Sequence, residues 1–328
     1  MNPSPVPGRP KVPGHPKAAV VLATAAVLMA GGCSSSSPSS SGPSRPKGAA
    51  VVMPEVSSVP RLITAADRTL PIAPYLLSDE QSDELTAAQA KLTERCMARF
   101  GLRYTSPAPA PVFRPRTPTQ FRYGVTDPEA AAVDGFAPAG GRTAPATAQP
   151  AALSAETTLV LTGTNDPHVK PGSAAAGRKV HKGRKIPVGG CVGEARARLR
   201  SEGPEAGGDA ELPNDINIDS FESSRKHPLV RAVFAKWSQC MEGRGFSYPD
   251  PLAATSDSAW RTRTASAKER AAARADADCK MRNNVVGVWY AVDSALQRQA
   301  IEKNSVALAK IKKAIGARVE LAAAVLAG

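Results

Sequence analysis

Cys96-Met97-Ala98-Arg99-Phe100-Gly101-Leu102-Arg103-Tyr104 and Cys240-Met241-Glu242-Gly243-Arg244-Gly245-Phe246-Ser247-Tyr248 share one pattern. In both, Cys-Met is followed, after three intervening residues, by glycine, an apolar residue and, after one more position, tyrosine. Each copy closes a stretch of helical periodicity. Leu85, Ala88, Leu92, Cys96 and Phe100 fall on one face of the first, and Val230, Val233, Phe234, Trp237 and Cys240 on one face of the second. Glycine just past such a stripe is a helix stop. One further cysteine lies downstream of each copy, Cys191 or Cys279. The repetition predicts two related helix-turn-helix units, each stapled once, and favours Cys96–Cys191 and Cys240–Cys279. The two crossed pairings stay open on sequence alone.

The rest of the chain fits a mainly α fold with a long C-terminal helix and extensive disordered segments. Ser78 with Gln81 three residues on reads as a capping box opening a helix over 79–100. Asp127, Pro128 and Gly135 bracket a short helix over 128–133. Residues 178–188 suggest a small hairpin turning near Lys182–Gly183. A helix starts at Cys191 and runs to about Ser201. Residues 203–226 read as a loop, and Pro228–Glu242 as a helix stopped by Gly243 and Gly245. The last helix spans Ala265 to Leu326 with a kink near Asn283–Asn284. Its half beyond Asn304 either reaches for a partner or packs back on its own domain. Leu70–Leu77 packs on the domain, residues 105–118 are proline-rich, and residues 137–176, rich in Ala, Pro, Gly and Thr, read as a mobile insertion.

The N-terminus carries a different signal. Arg9, Lys11 and Lys17 precede the apolar run Ala18–Ala30, then Gly31, Gly32 and Cys33. That is the layout of an export signal, and the run is too short to span a bilayer. Its end resembles a bacterial lipobox, although Ala30 stands where leucine is usual. The resemblance implies cleavage before Cys33 and a diacylglyceryl group on its thiol, often with a further acyl chain such as palmitate. The expected organisation is a signal peptide over 1–32, a flexible Ser/Pro-rich tether over 33–60, and an extracytoplasmic helical domain over 61–328 with the insertion at about 137–176.

Composition agrees with export. Beyond Cys33 four cysteines remain, an even number that suits two disulfides in an oxidising compartment. The leader holds three of the 42 basic residues and none of the 29 acidic ones, so the remainder stays strongly cationic. Outside the cell this charge points to anionic wall polymer or lipid headgroups rather than nucleic acid. Aromatic residues are 5% of the chain, which predicts a modest core in which a staple counts for much.

The blocks CMARFGLRY (96–104), RYGVTDPEA (122–130), GGCVGEARARL (189–199), VRAVFAKWSQCMEGRGFSYPDP (230–251), VGVWYAV (286–292) and QRQAIEKN (297–304) resemble a family of secreted lipoproteins of high-GC Gram-positive, actinobacterial organisms. The resemblance implies export, lipidation and paired cysteines. It brings no activity, cofactor or catalytic residue to transfer.

Catalytic constellations are scarce. His168, His181 and His227 show no metalloprotease spacing, and HExxH, G-x-S-x-G, P-loop and dinucleotide motifs are absent. Ser223-Ser-Arg-Lys226 matches S-x-x-K, but so does Ser44-Arg-Pro-Lys47, and the companion motifs are missing. Asp215, Asn217 and Asp219 imitate the start of a calcium loop, yet Ser220 replaces its glycine and Lys226 its bidentate glutamate, with Glu222 close by. These residues also alternate as a short strand would. Trp237 and Trp289 lie on apolar helix faces and read as core. Arg178, Lys179, Lys182, Arg184 and Lys185 form a dense cationic run, a candidate anion-binding loop. The chain therefore reads as a lipid-anchored envelope protein that binds a polymer, headgroup or protein partner without cofactor or metal. The alternative is an envelope hydrolase acting on wall or peptide material.

Overall fold

The computed structural model describes residues 53–108, 114–138, 152–177, 179–200, 211–262 and 264–328. The leader, Cys33, the tether before residue 53 and Arg178 lie outside the described residues. Ten α-helices are described, with one two-stranded hairpin. They are α1 (Asp79–Arg99), α2 (Pro128–Asp134), α3 (Ala155–Thr162), α4 (Gly190–Arg198), α5 (Leu212–Ser224), α6 (Pro228–Glu242), α7 (Pro251–Thr255), α8 (Ala267–Arg282), α9 (Val285–Lys303) and α10 (Ser305–Ala327). The strands β1 (Val180–His181) and β2 (Arg184–Lys185) pair antiparallel, Val180 opposite Lys185.

Local chemistry sets most ends. The capping box on α1 is complete: Ser78 Oγ accepts from Gln81 N and Gln81 Oε1 accepts from Ser78 N. Asp127 Oδ1 accepts from Glu129 N and Ala130 N at the start of α2. The duplicated signature folds into two equivalent Schellman caps. Leu102 N donates to Met97 O at 3.2 Å and Phe246 N to Met241 O at 3.0 Å, with Gly101 (φ +71°) and Gly245 (φ +83°) in the left-handed region. Glycine pays no Cβ penalty there.

The main core surrounds Trp237 and Trp289, both fully buried. Tyr123, Phe221 and Phe234 pack their rings against Trp289 at centroid distances of 4.9–5.3 Å. Cys279 belongs to this cluster, and half-buried Cys240 packs on it. A second cluster gathers Cys96, Met97, Phe100, Val160, Leu161, Ile186 and Cys191. Each staple thus sits in its own apolar cluster.

Four expectations change. The loop over 203–226 contains α5. Its buried residues, Pro213, Ile216, Ser220 and Ser224, are helically spaced, but two are serines, so no apolar period marks the face. Those hydroxyls accept from core groups, Trp289 Nε1 to Ser224 Oγ at 2.7 Å and Gln297 Nε2 to Ser220 Oγ at 3.1 Å. Second, the supposed insertion over 137–176 holds α3, capped by Ser154 and Gly163, with Val160 and Leu161 buried against α4 and the Cys96–Cys191 cluster. Residues 139–151 of it lie outside the described residues. Third, the single C-terminal helix is three helices, broken at Asn283–Asn284 and again at Asn304. The second break turns α10 back: Leu308 and Ile311 meet Leu70, Ile72 and Ile216, while Ala322 meets Leu85, Ala88 and Leu92. Of the two readings left open, packing on its own domain is the one adopted. Fourth, the tether does not reach residue 60. Residues 53–60 have no regular secondary structure but lie on the domain, with Val56 packed against the main core.

Candidate functional site

Cys96–Cys191 joins α1 to α4 across Cα atoms 5.5 Å apart, and Cys240–Cys279 joins α6 to α8 across 5.8 Å. The favoured pairing is therefore present and the crossed ones are not. The cationic hairpin lies against the first staple. Lys182 (φ +46°) and Gly183 (φ +77°) form its two-residue turn, with both residues at positive φ as tight hairpins favour. His181 packs beside Phe100 and its Nε2 lies 3.2 Å from Glu156 Oε1. Lys182 Nζ approaches that same oxygen to 3.1 Å, and Arg184 Nη1 donates to Arg99 O at 2.8 Å. The hairpin thus spends part of its charge on fixing itself to α1 and α3. Lys179 and Lys185 are exposed and have no ion-pair partner among the described residues. Among the described members of the predicted anion-binding set, these two are the ones whose charge is not engaged within the fold.

Two buried polar networks escaped the sequence reading. In one, Arg122 Nε and Tyr123 Oη donate to Asp293 Oδ2 at 2.6 and 2.8 Å, while Arg122 also holds Asn217 and stacks on Phe221. Burial works against the Arg122 charge, but the Asp293 carboxylate outweighs it and holds the guanidinium above its ordinary range. Burial, then the Asp293 charge, pushes the Tyr123 phenol far above the usual tyrosine range. In the other, α8 carries Asp276 and Lys280, both solvent-free and 2.6 Å apart. Burial pushes the Asp276 carboxyl up, opposed by the Lys280 charge and by hydrogen bonds from Lys280 and Trp237 Nε1. Every one of these groups is engaged within the fold, which marks the networks as fold-specifying. Their sequence signal was present in part: Asp276 and Lys280 share a face of α8 with Ala272 and Ala273 at helical spacing.

A cleft of about 690 Å³ opens between the loop around Arg116–Phe121, helix α2 with the turn after it, and residues 63–66. Val125, Phe121, Ala137 and Pro138 give it an apolar floor. Arg116 and Arg274 stand on its rim with Asp127, Glu129 and Asp134. Asp127 is committed to capping α2. Most of its lining comes from one stretch of chain, 116–138, and residues 63–66 with Arg274 of α8 complete it. Its volume lies in the ordinary range for small-molecule sites.

Other motifs dissolve in the fold. Ser223 and Lys226 of the S-x-x-K match sit at the end of α5, where Lys226 N donates to Ser223 O. Asp215, Asn217 and Asp219 lie on α5, whose helical backbone cannot wrap a cation as a calcium loop does, and Asn217 is tied to Arg122. No group of three or more His, Cys, Asp or Glu side chains suited to a metal occurs among the described residues. No helix among them is long and apolar enough to cross a membrane. No protein-family model, curated protein or solved structure matches this chain.

Proposed function

We propose that this protein is a lipid-anchored, extracytoplasmic binding module of the bacterial envelope, held to the outer face of the cell membrane through Cys33. One observation carries the reading: two disulfides, Cys96–Cys191 and Cys240–Cys279, staple the domain of a chain that begins with an export-type leader ending in cysteine. Such bonds form and persist in oxidising compartments. A single acyl chain binds membranes only weakly, and a diacylglyceryl group on Cys33 meets the need for more than one chain.

The binding role is supported by the cleft and by the free cations Lys179 and Lys185 of the hairpin, which suit anionic wall polymer. At the cleft, the hydrolase alternative would draw on Glu129 and Asp134, since Asp127 caps α2.

Non-reducing peptide mapping of protein from the native membrane fraction tests the anchor. The expected result is an N-terminal peptide starting at Cys33 that carries two or three acyl chains. An unmodified Cys33 would overturn the lipid-anchor reading. For the binding role, retention on purified wall material should fall when Lys179 and Lys185 are changed to glutamine. Unchanged retention would remove the hairpin from it.

A further inference from the structure

Residues 53–66 carry the chain from the leader side into the fold, and they do so without secondary structure of their own. Side chains of the helices hold them instead. Asn284, at the α8–α9 junction, brackets residue 61: its Nδ2 donates to Pro60 O and its Oδ1 accepts from Leu62 N, both at 3.0 Å. The bracket is reached from a left-handed backbone (φ +53°), and α9 comes so close that Gly287 leaves no room for a Cβ before the Pro60 carbonyl. At the other end His227 accepts from Leu229 N through Nδ1, which leaves Nε2 to donate to Pro54 O at 3.2 Å. Buried Leu62 and Ala65 plug the segment into the main core.

This strap begins beside the start of α6, where Pro54 O meets His227 Nε2. Large apolar side chains are exposed on the strap and on the helices that fasten it: Val59 of the strap at 40%, Leu229 of α6 at 41% and Met281 of α8 at 37%. Arg61 of the strap, Lys226 just before α6, Arg231 of α6 and Arg282 of α8 are exposed on the same segments. None of these four cations has an ion-pair partner among the described residues. Glu55 is the carboxylate on the strap itself. Apolar side chains interspersed with free cations are the composition of surfaces that settle into an anionic lipid interface.

We propose that the strap, together with the start of α6 and the end of α8, is a membrane-docking surface for anionic phospholipid headgroups, with Val59, Leu229 and Met281 reaching the acyl boundary. The proposal builds on the membrane-anchored reading. Its function would be to turn a tethered domain into an oriented one.

Hydrogen exchange on the full-length protein, reconstituted in vesicles of phosphatidylcholine alone or with 30% phosphatidylglycerol, tests it. Exchange at 55–66, 226–232 and 279–284 should slow severalfold in the anionic vesicles only. The triple variant Arg61→Gln, Arg231→Gln, Arg282→Gln should lose this protection, whereas Lys179→Gln with Lys185→Gln should keep it. Neutralising three interfacial charges should weaken docking by on the order of a hundredfold. An unchanged thermal melt of the triple variant separates lost docking from lost folding. Equal exchange in both vesicles, protection at the hairpin instead, or protection by soluble anionic wall polymer without vesicles would overturn the proposal. The mass of the Cys33 peptide in the same digest reports acylation separately, so failure of the anchor and failure of the docking surface are read apart.

Discussion

Lys280 Nζ lies 2.6 Å from Asp276 Oδ2, one turn back on α8, and neither side chain meets solvent. The ammonium also donates to Val125 O at 3.1 Å, and Asp276 Oδ1 accepts from Trp237 Nε1 at 3.0 Å. The pair therefore ties α8 to α6 and to the segment flooring the cleft.

Removing one partner strands a buried charge. Lys280→Met should destabilise the domain by about 3–5 kcal/mol. Lys280→Met combined with Asp276→Leu should recover much of that loss, because no charge is then left uncompensated. Urea unfolding of the two variants decides the matter; a double variant no better than the single one would contradict it.

The staples should contribute unequally. Cys240–Cys279 closes a separation of 39 residues and Cys96–Cys191 one of 95. Paired Cys→Ala replacement should cost about 4 kcal/mol for the shorter loop and about 5 kcal/mol for the longer, on the chain-entropy account. Thermal melts of each variant, without reductant, would show the larger shift for Cys96–Cys191. The reverse order would point to local packing as the larger effect.

The twin caps offer a matched pair. A Cβ at Gly101 or Gly245 would meet no atom within 4 Å, so alanine there is opposed by the backbone alone. Gly101→Ala and Gly245→Ala should each cost about 1–2 kcal/mol. Equivalence of the two units predicts that chemical denaturation returns similar values for both.

Tyr248 gives an alkaline signature. Burial, then its hydrogen bond to Asp257 Oδ2, pushes the phenol up to about 12. An acid whose folded pKa is raised binds its proton more tightly when folded. The stability it lends is present below about pH 10, the unfolded tyrosine value, and is lost as pH rises toward 12. Tyr248→Phe should flatten that part of a stability–pH curve, and ultraviolet titration should show one fewer late-ionising tyrosine. An unchanged curve would exclude the contact as its source.

Much of the fold was legible because its signals are local. Ser78 and Gln81 announce α1, His227-Pro228 through Gly245 delimit α6, and the repeated Cys-Met-x3-Gly pattern marks two caps whose geometry matches. Spacing along the chain encodes such features directly, since a helix face and its stop lie within a few residues of one another. The helix α5 escaped because its buried face is written partly in serines, whose partners, Trp289 and Gln297, lie more than 60 residues away. The same holds for the break at Asn304, where α10 turns back because Leu308, Ile311 and Ala322 find apolar partners near the start of the domain.

The sequence by itself determined the helical class, the two stapled units and the expectation of an exported chain, all properties of short-range pattern and composition. Only the tertiary structure decided which cysteines pair, which hairpin cations remain free, where the strap is fastened and that a cleft exists. Those depend on which distant segments exclude water together, and burial of that kind is a property of the packed whole rather than of any one stretch of residues.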